Sequence, residues 1–364
     1  MKVICFFVLF FLAQPVLSQE DTLKGPDIVD RLFNTADKVV DMFSGKSWIF
    51  VPALTYAPET SLGFGIGALK YFRTREDGNL RPSTMPISLL YTLNRQVMFS
   101  TELDLWWNGN KDHLFAELEL QDYPFRFYGI GNEIALPEGE SYSSRMAQLK
   151  VNFQKRIAPG IFLGPQYVFR LDEVFDKEVG GLLDTGAVPG SNGQRSSGLG
   201  ILLQYDTRDN IFQPGKGSYH QLSYLGFSRF FGSDYEFGQY RLDLRKYLNI
   251  FRSHVVAGQL WYSYTGGHAP FQQLAMMGGS DIMRGYFEGK YRDHMAMVYQ
   301  MEYRLPVYRT LGLVFFGSTG TVAEKFSSLP SGRLRYGGGL GFRYRLMDDG
   351  LNFRLDIAFG DQTS

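Results

Sequence analysis

Two apolar spacings divide the chain. Val3 to Ala13 is an unbroken apolar run behind Lys2. At about eleven residues it is too short for a bilayer, which needs about 20. The basic start, the short apolar core and the small residues Val16 and Ser18 predict a secretory signal peptide over 1–18. Residues 27–45 (PDIVDRLFNTADKVVDMFS) place Ile28, Leu32, Val39, Val40, Met42 and Phe43 at helical spacing, with Pro26 in the first turn. They predict one amphipathic helix. After Gly45 the period drops to two and stays there.

The two-residue alternation is clean in several segments. Leu114, Ala116, Leu118 and Leu120 share one face, and Phe115, Glu117, Glu119 and Gln121 the other. Tyr240, Leu242 and Leu244 oppose Arg241, Asp243 and Arg245; Phe353, Leu355, Ile357 and Phe359 oppose Arg354, Asp356 and Ala358. Such strands fit either a soluble sandwich or a membrane barrel with a charged lumen. Number and length decide. Strands are predicted at 47–57, 60–74, 84–95, 97–108, 112–123, 140–158, 160–175, 195–208, 217–231, 235–250, 253–266, 294–307, 310–323, 332–347 and 351–360. Soluble strands run to about five or six residues, whereas a tilted membrane strand needs about 9–11. Lipid offers the backbone no partners, so the sheet must close. The prediction is an all-β chain, a transmembrane antiparallel β-barrel over 47–364.

Composition agrees. Phe, Trp and Tyr number 31, 4 and 22, and Gly 41, yet the mean hydropathy is only −0.17, too low for a helical membrane bundle. Aromatic pairs near strand ends (Trp48 and Phe50, Tyr71 and Phe72, Trp106 and Trp107, Trp261 and Tyr262) are read as interfacial girdles. Basic and acidic residues balance at 37 each, so no net field recruits nucleic acid. The one cysteine, Cys5, lies in the signal. Export without disulfides fits a bacterial envelope, which makes 19–46 a short periplasmic segment.

The long connection between the eleventh and twelfth strands reads GHAPFQQLAMMGGSDIMRGYFEGKYRD over 267–293. Gly278-Gly279, Met283-Arg284-Gly285-Tyr286 and Glu288-Gly289-Lys290-Tyr291-Arg292 resemble the hallmark loop of the BamA/TamA family of outer-membrane proteins, the bacterial surface antigen family. Asp206-Thr207-Arg208-Asp209-Asn210, followed by Pro214 and Gly217, looks like that family's tight turn between strands eight and nine. Phe127 to Asn132 and Pro52 to Gly67 are also similar, so the resemblance covers about 47–360. It implies a sixteen-stranded barrel whose loop folds back inside and whose arginine meets acidic residues on the inner wall. Alternation puts Gln300, Glu302 and Arg304 on one face of the twelfth strand, so an Arg284–Glu302 pair is expected.

Three departures from the family pattern are visible. Phe316-Gly317-Ser318-Thr319-Gly320 puts Ser318 where the family has an aspartate. The expectation is therefore that the second acidic contact is missing and the loop is held less tightly. Between Gln19 and Gly45 there is room for one helix, as plug, interfacial anchor or solvated lead-in, and for no periplasmic POTRA module. Only four strands follow the loop where the family has five, so a truncated sequence or an unusual seam is expected.

Catalytic signals are absent. The histidines (113, 220, 254, 268 and 294) lack metal-ligand spacing and no serine sits in a GxSxG elbow. His220 beside Ser218 is read as a girdle or lumen histidine rather than a lipase residue. Gly63, Gly65 and Gly67 are read as strand glycines rather than a nucleotide loop. No enzyme activity, cofactor or metal is expected. The resemblance implies a Gram-negative outer-membrane barrel assisting protein assembly or translocation through a lateral seam. Its implied partners are outer-membrane lipids and unfolded outer-membrane proteins or a periplasmic component. A passive pore or structural barrel is the alternative.

Overall fold

The structure is a computed structural model that describes residues 48–57, 61–75, 80–93, 95–251, 253–329, 332–347 and 350–360. The signal peptide and the 27–45 helix lie outside the described residues. Fifteen strands form one sheet: β1 (Trp48–Ala57), β2 (Ser61–Phe72), β3 (Ser83–Thr92), β4 (Val97–Trp107), β5 (Asp112–Phe127), β6 (Glu140–Ala158), β7 (Ile161–Phe175), β8 (Gln194–Asp206), β9 (Gly217–Phe227), β10 (Phe237–Phe251), β11 (His254–Gly267), β14 (Met295–Tyr308), β15 (Leu311–Ala323), β16 (Arg335–Arg345) and β17 (Asn352–Phe359). Two short strands, β12 (Ala275–Met277) and β13 (Tyr291–Asp293), pair separately inside the long connection.

Each strand of the large sheet pairs antiparallel with its chain neighbours only. Ladder order therefore follows chain order, the up-and-down topology of a barrel wall. Among the described residues the ladder runs from β1 to β17. With an odd number of strands, those two point the same way.

The period-two pattern works out as two surfaces. Ile201, Leu222, Met301, Phe315 and Ile357 are exposed apolar side chains, as a lipid-facing belt requires. The opposite face carries paired charges. Lys150 Nζ lies 2.9 Å from Glu117 Oε1, and Gln148 Nε2 donates to Glu119 over 2.9 Å. His113 sits between Asp104 and Gln154. Tyr224, Tyr240 and Tyr264 form a ring ladder across β9, β10 and β11, with centroids 4.6 and 6.1 Å apart. Exposed Phe251 lies at the other end of β10. Eleven residues at about 3.4 Å each, tilted by about 40°, separate these levels by about 29 Å. That is close to the height of an outer-membrane apolar band.

Two of the expected girdle aromatics are not there. Trp106 is buried inside, its ring 3.9 Å from that of His113, and Trp261 packs against the buried cluster beneath the long connection. Alternation is the reason. Neighbouring residues point to opposite faces, so Trp106-Trp107 and Trp261-Tyr262 cannot each give two rings to lipid. Gly65 lies within β2, as read from the sequence; a Cβ there would come 2.5 Å from the Leu89 carbonyl of β3.

The two ends of the sheet differ. One carries tight turns such as 108–111, 159–160 and 309–310, and the other carries the connections 128–139, 176–193, 228–236 and 268–294. The apolar core lies inside the wall, under the long connections.

Candidate functional site

Residues 268–294 fold inward because their sequence favours a tight, mostly apolar hairpin. Ala275–Met277 pairs with Tyr291–Asp293, and the tip between them turns on glycines. Gly278 has φ +113°, and a Cβ there would lie 2.5 Å from the Phe287 carbonyl oxygen. Met277, Met283 and Tyr291 are fully buried against Ala296, Val298 and Val322 of the wall. A glycine opposite makes room: a Cβ on Gly320 would meet Met277 Sδ at 2.7 Å and Val298 Cγ2 at 2.8 Å.

This anchorage delivers Arg284 to the wall. Met283, at φ +65°, holds a backbone conformation uncommon for a non-glycine residue, and its N–H donates to Gln300 Oε1 over 3.1 Å. Arg284 follows with its side chain only 8% exposed. Its Nη2 lies 2.5 Å from Glu302 Oε1 on β14, and its Nη1 lies 2.6 Å from Asp356 Oδ2 on β17. The guanidinium plane lies over Phe316, 3.7 Å from the ring centre. Outer arginines continue the row. Arg304 Nη2 is 2.8 Å from Glu302, Arg343 Nη1 is 2.5 Å from Asp356 and Arg354 Nε is 3.4 Å from it. The charges alternate in sign and link three strands, β14, β16 and β17, to the loop.

Ser318 lies on β15 opposite Gln300, and Arg284 nonetheless has a second carboxylate. The expectation of a missing acidic contact fails for a topological reason. β17 brings Asp356 to the same point in the lumen from a strand far away in sequence. The usable signal is the one inward carboxylate of β17, two residues after Arg354 and opposite Gly341.

Gly285 and Tyr286 also grip the last strand. A Cβ on Gly285 would lie 2.7 Å from the Phe359 carbonyl carbon, and one on Gly360 would lie 2.6 Å from the Tyr286 ring. The Tyr286 hydroxyl donates to the Tyr336 carbonyl of β16 over 2.8 Å.

Asp206 to Asn210 form a structural turn at the opposite end. Buried Asp206 accepts from Arg208 Nε and Nη2, both at 2.9 Å, and from Arg81 Nη1 at 2.7 Å. Arg81 belongs to the β2–β3 connection, so this carboxylate ties two distant turns together. Thr207 and Ser218 bond through their backbones over 2.9 Å, and Asp209 Oδ1 accepts from the Gly215 and Lys216 N–H groups. Gly217, at φ +104°, has no room for a Cβ, which would come 2.2 Å from the Thr207 carbonyl oxygen.

A sheet of this kind is what the comparisons with known proteins match. The Omp85 superfamily domain matches residues 85–363. The chain belongs to the Omp85 superfamily. BamA from Haemophilus ducreyi lacking POTRA domains 1-3 superposes with a TM-score of 0.56 at 13% identity, over 88% of this chain and 68% of that one. CdiB from Acinetobacter baumannii gives a TM-score of 0.52 at 13% identity, over 82% of this chain. This chain spans about half of CdiB, 53% of its length. At these identities the structural likeness concerns the fold. No curated protein sequence matches the chain.

For an Omp85 barrel in a bacterial outer membrane, short turns face the periplasm and long loops the exterior. At the long-loop end of this one the loops pack on one another inside the wall. Phe271 is fully buried, in edge contact with Phe127 and Tyr142, and Leu183 closes the same cluster. Arg292 lies between Phe127 and Phe271, at 5.6 and 5.3 Å from their ring centres. The Gly131 N–H donates to its carbonyl over 2.8 Å, which docks the Phe127–Asn132 segment on the loop. The sequence motif includes Arg292 without giving it an anchoring role; the further signal is a charge inside an apolar hairpin. Among the described residues no His, Cys, Asp and Glu cluster suits a metal ion.

Proposed function

We propose that this Omp85 barrel assists the assembly or translocation of proteins at a Gram-negative outer membrane, with the seam between β1 and β17 as the working edge and the Arg284 loop as its brace. The observation that carries the reading is the Glu302–Arg284–Asp356 bridge. The infolded loop commits a buried charge, Arg284, to the last strand of the described ladder. A strand so held presents one straight row of backbone donors and acceptors, the surface to which an incoming strand adds. The role is one of binding and templating, without catalysis.

The alternative, a passive pore, calls for a continuous water path. The buried apolar packing of Phe271, Leu183 and Met277 beneath the exterior loops favours the assembly reading instead. Deleting the gene and quantifying the outer-membrane proteome tests it. Loss of particular barrel or secreted proteins is expected, with restoration by the wild-type chain but not by Arg284→Ala. An unchanged proteome with large stepwise conductance of the purified protein in planar bilayers would sink the assembly role and establish the pore.

A further inference from the structure

Below the Arg284 bridge the lumen holds a cavity of about 470 Å³ at the short-turn end, lined by Arg304, Arg309, Arg343, Arg345 and Arg354 and, among the described residues, by one carboxylate, Glu302. It continues towards a smaller space of about 270 Å³ beside Arg284, which Glu302, Arg304 and Arg354 also line. Arg304, Arg343 and Arg354 have carboxylate partners in the bridge. Arg345 is exposed in the cavity and has no ion-pair partner among the described residues. Between the arginines the wall is apolar, through Val255 and Val314.

We propose that this mouth is a binding site for an extended acidic polypeptide segment entering from the periplasm. The spacing points to a peptide rather than a free anion. Arg343 and Arg345 follow each other at alternate positions of β16, and Arg354 stands in register with Arg343 on β17. Alternate residues of a strand are about 6.8 Å apart, and an extended chain with an acidic residue at every second position repeats that distance. Guanidinium forks pair with carboxylates through two parallel hydrogen bonds, and a cleft lined by one sign of charge concentrates ligands of the other. The site rests on the mouth alone and stands whether or not the barrel assembles proteins.

The test is fluorescence anisotropy of the full chain in detergent micelles with a labelled (Glu-Ser)5 peptide. Saturable binding that weakens with salt is expected, with at least ten-fold weaker binding of (Gln-Ser)5 and several-fold weaker binding of a peptide carrying the same five glutamates in one block. Arg345→Glu should weaken (Glu-Ser)5 binding at least ten-fold while heat-modifiable gel mobility shows the barrel still folded. Asp348 and Asp349 lie outside the described residues, so the variant is repeated with D348N and D349N. Its loss should persist there, and a loss that vanished would mean that Arg345 serves only its own turn and would overturn the site. Equal binding of the glutamine or block peptide would overturn it too, as would displacement by inorganic phosphate at an ionic strength where chloride leaves the peptide bound.

Discussion

Asp356→Asn removes one charge and almost no volume, so its effect isolates the electrostatics of the bridge. Asp356, with its side chain 11% exposed, accepts from Arg284 at 2.6 Å and Arg343 at 2.5 Å, with Arg354 3.4 Å away. Neutralising it leaves three guanidiniums around an amide, while Glu302 already serves both Arg284 and Arg304. Each lost charge-assisted hydrogen bond contributes about 1.5–3 kcal/mol. Breaking a buried ion pair from one side costs about 3–5 kcal/mol, because a charge is left uncompensated. The expected destabilisation is therefore ~3–5 kcal/mol, read as the urea midpoint of barrel unfolding in micelles. The cause has its own signature. Removing a surplus cation as well, in Asp356→Asn with Arg343→Gln, should recover part of the loss, which a double-mutant cycle resolves. A single-variant loss below about 1 kcal/mol, the level of an exposed ion pair, would refute the reasoning, as would an additive cycle.

Other consequences are local. Gly320→Val should cost about 1–3 kcal/mol by overpacking, since Met277 Sδ and Val298 Cγ2 already occupy the space; thermal unfolding measures it. Gly217→Ala combines a positive φ with a carbonyl 2.2 Å from the new Cβ. It should slow refolding in micelles and lower the unfolding midpoint, whereas Gly109→Ala, with open space around it, should lose only the modest cost of its own positive φ. Enclosure in the lumen lifts the Glu288 carboxyl above its ordinary value, an effect damped by the solvent contact the side chain keeps. A raised acid penalises the folded state only once pH climbs past the unfolded value, and the penalty is complete above the folded one. Glu288→Gln should therefore exceed the wild type in stability at pH 8 and match it at pH 4, and the same stability at both pH values as the wild type would contradict the assignment.

The wall was legible in the sequence because it is written in local repetition. Long period-two runs gave strand positions to within a few residues, and parity alone put Glu302 on the lumen face where Arg284 meets it. What escaped was either short or non-local. β12 and β13 are three residues each inside a glycine-rich stretch, too brief for alternation to register. In the sequence Asp356 reads as one more lumen charge, and only the placement of β17 beside the loop brings it to Arg284, where Ser318 offers no acid. Trp106 and Trp261 lie near strand ends, as girdle rings do, but their parity points them inward.

The central claim is that the infolded loop, through Arg284, pins the last strand of the ladder. Amide hydrogen exchange in the wild type and in Arg284→Ala tests it directly, peptide by peptide. Loss of about 3 kcal/mol of local restraint corresponds to roughly hundred-fold faster opening. The account predicts that acceleration over 352–359 and the adjoining edge of β16, with exchange in β5, β6 and β7 unchanged. Unaltered exchange in β17, or a uniform rise across all fifteen strands, would contradict it.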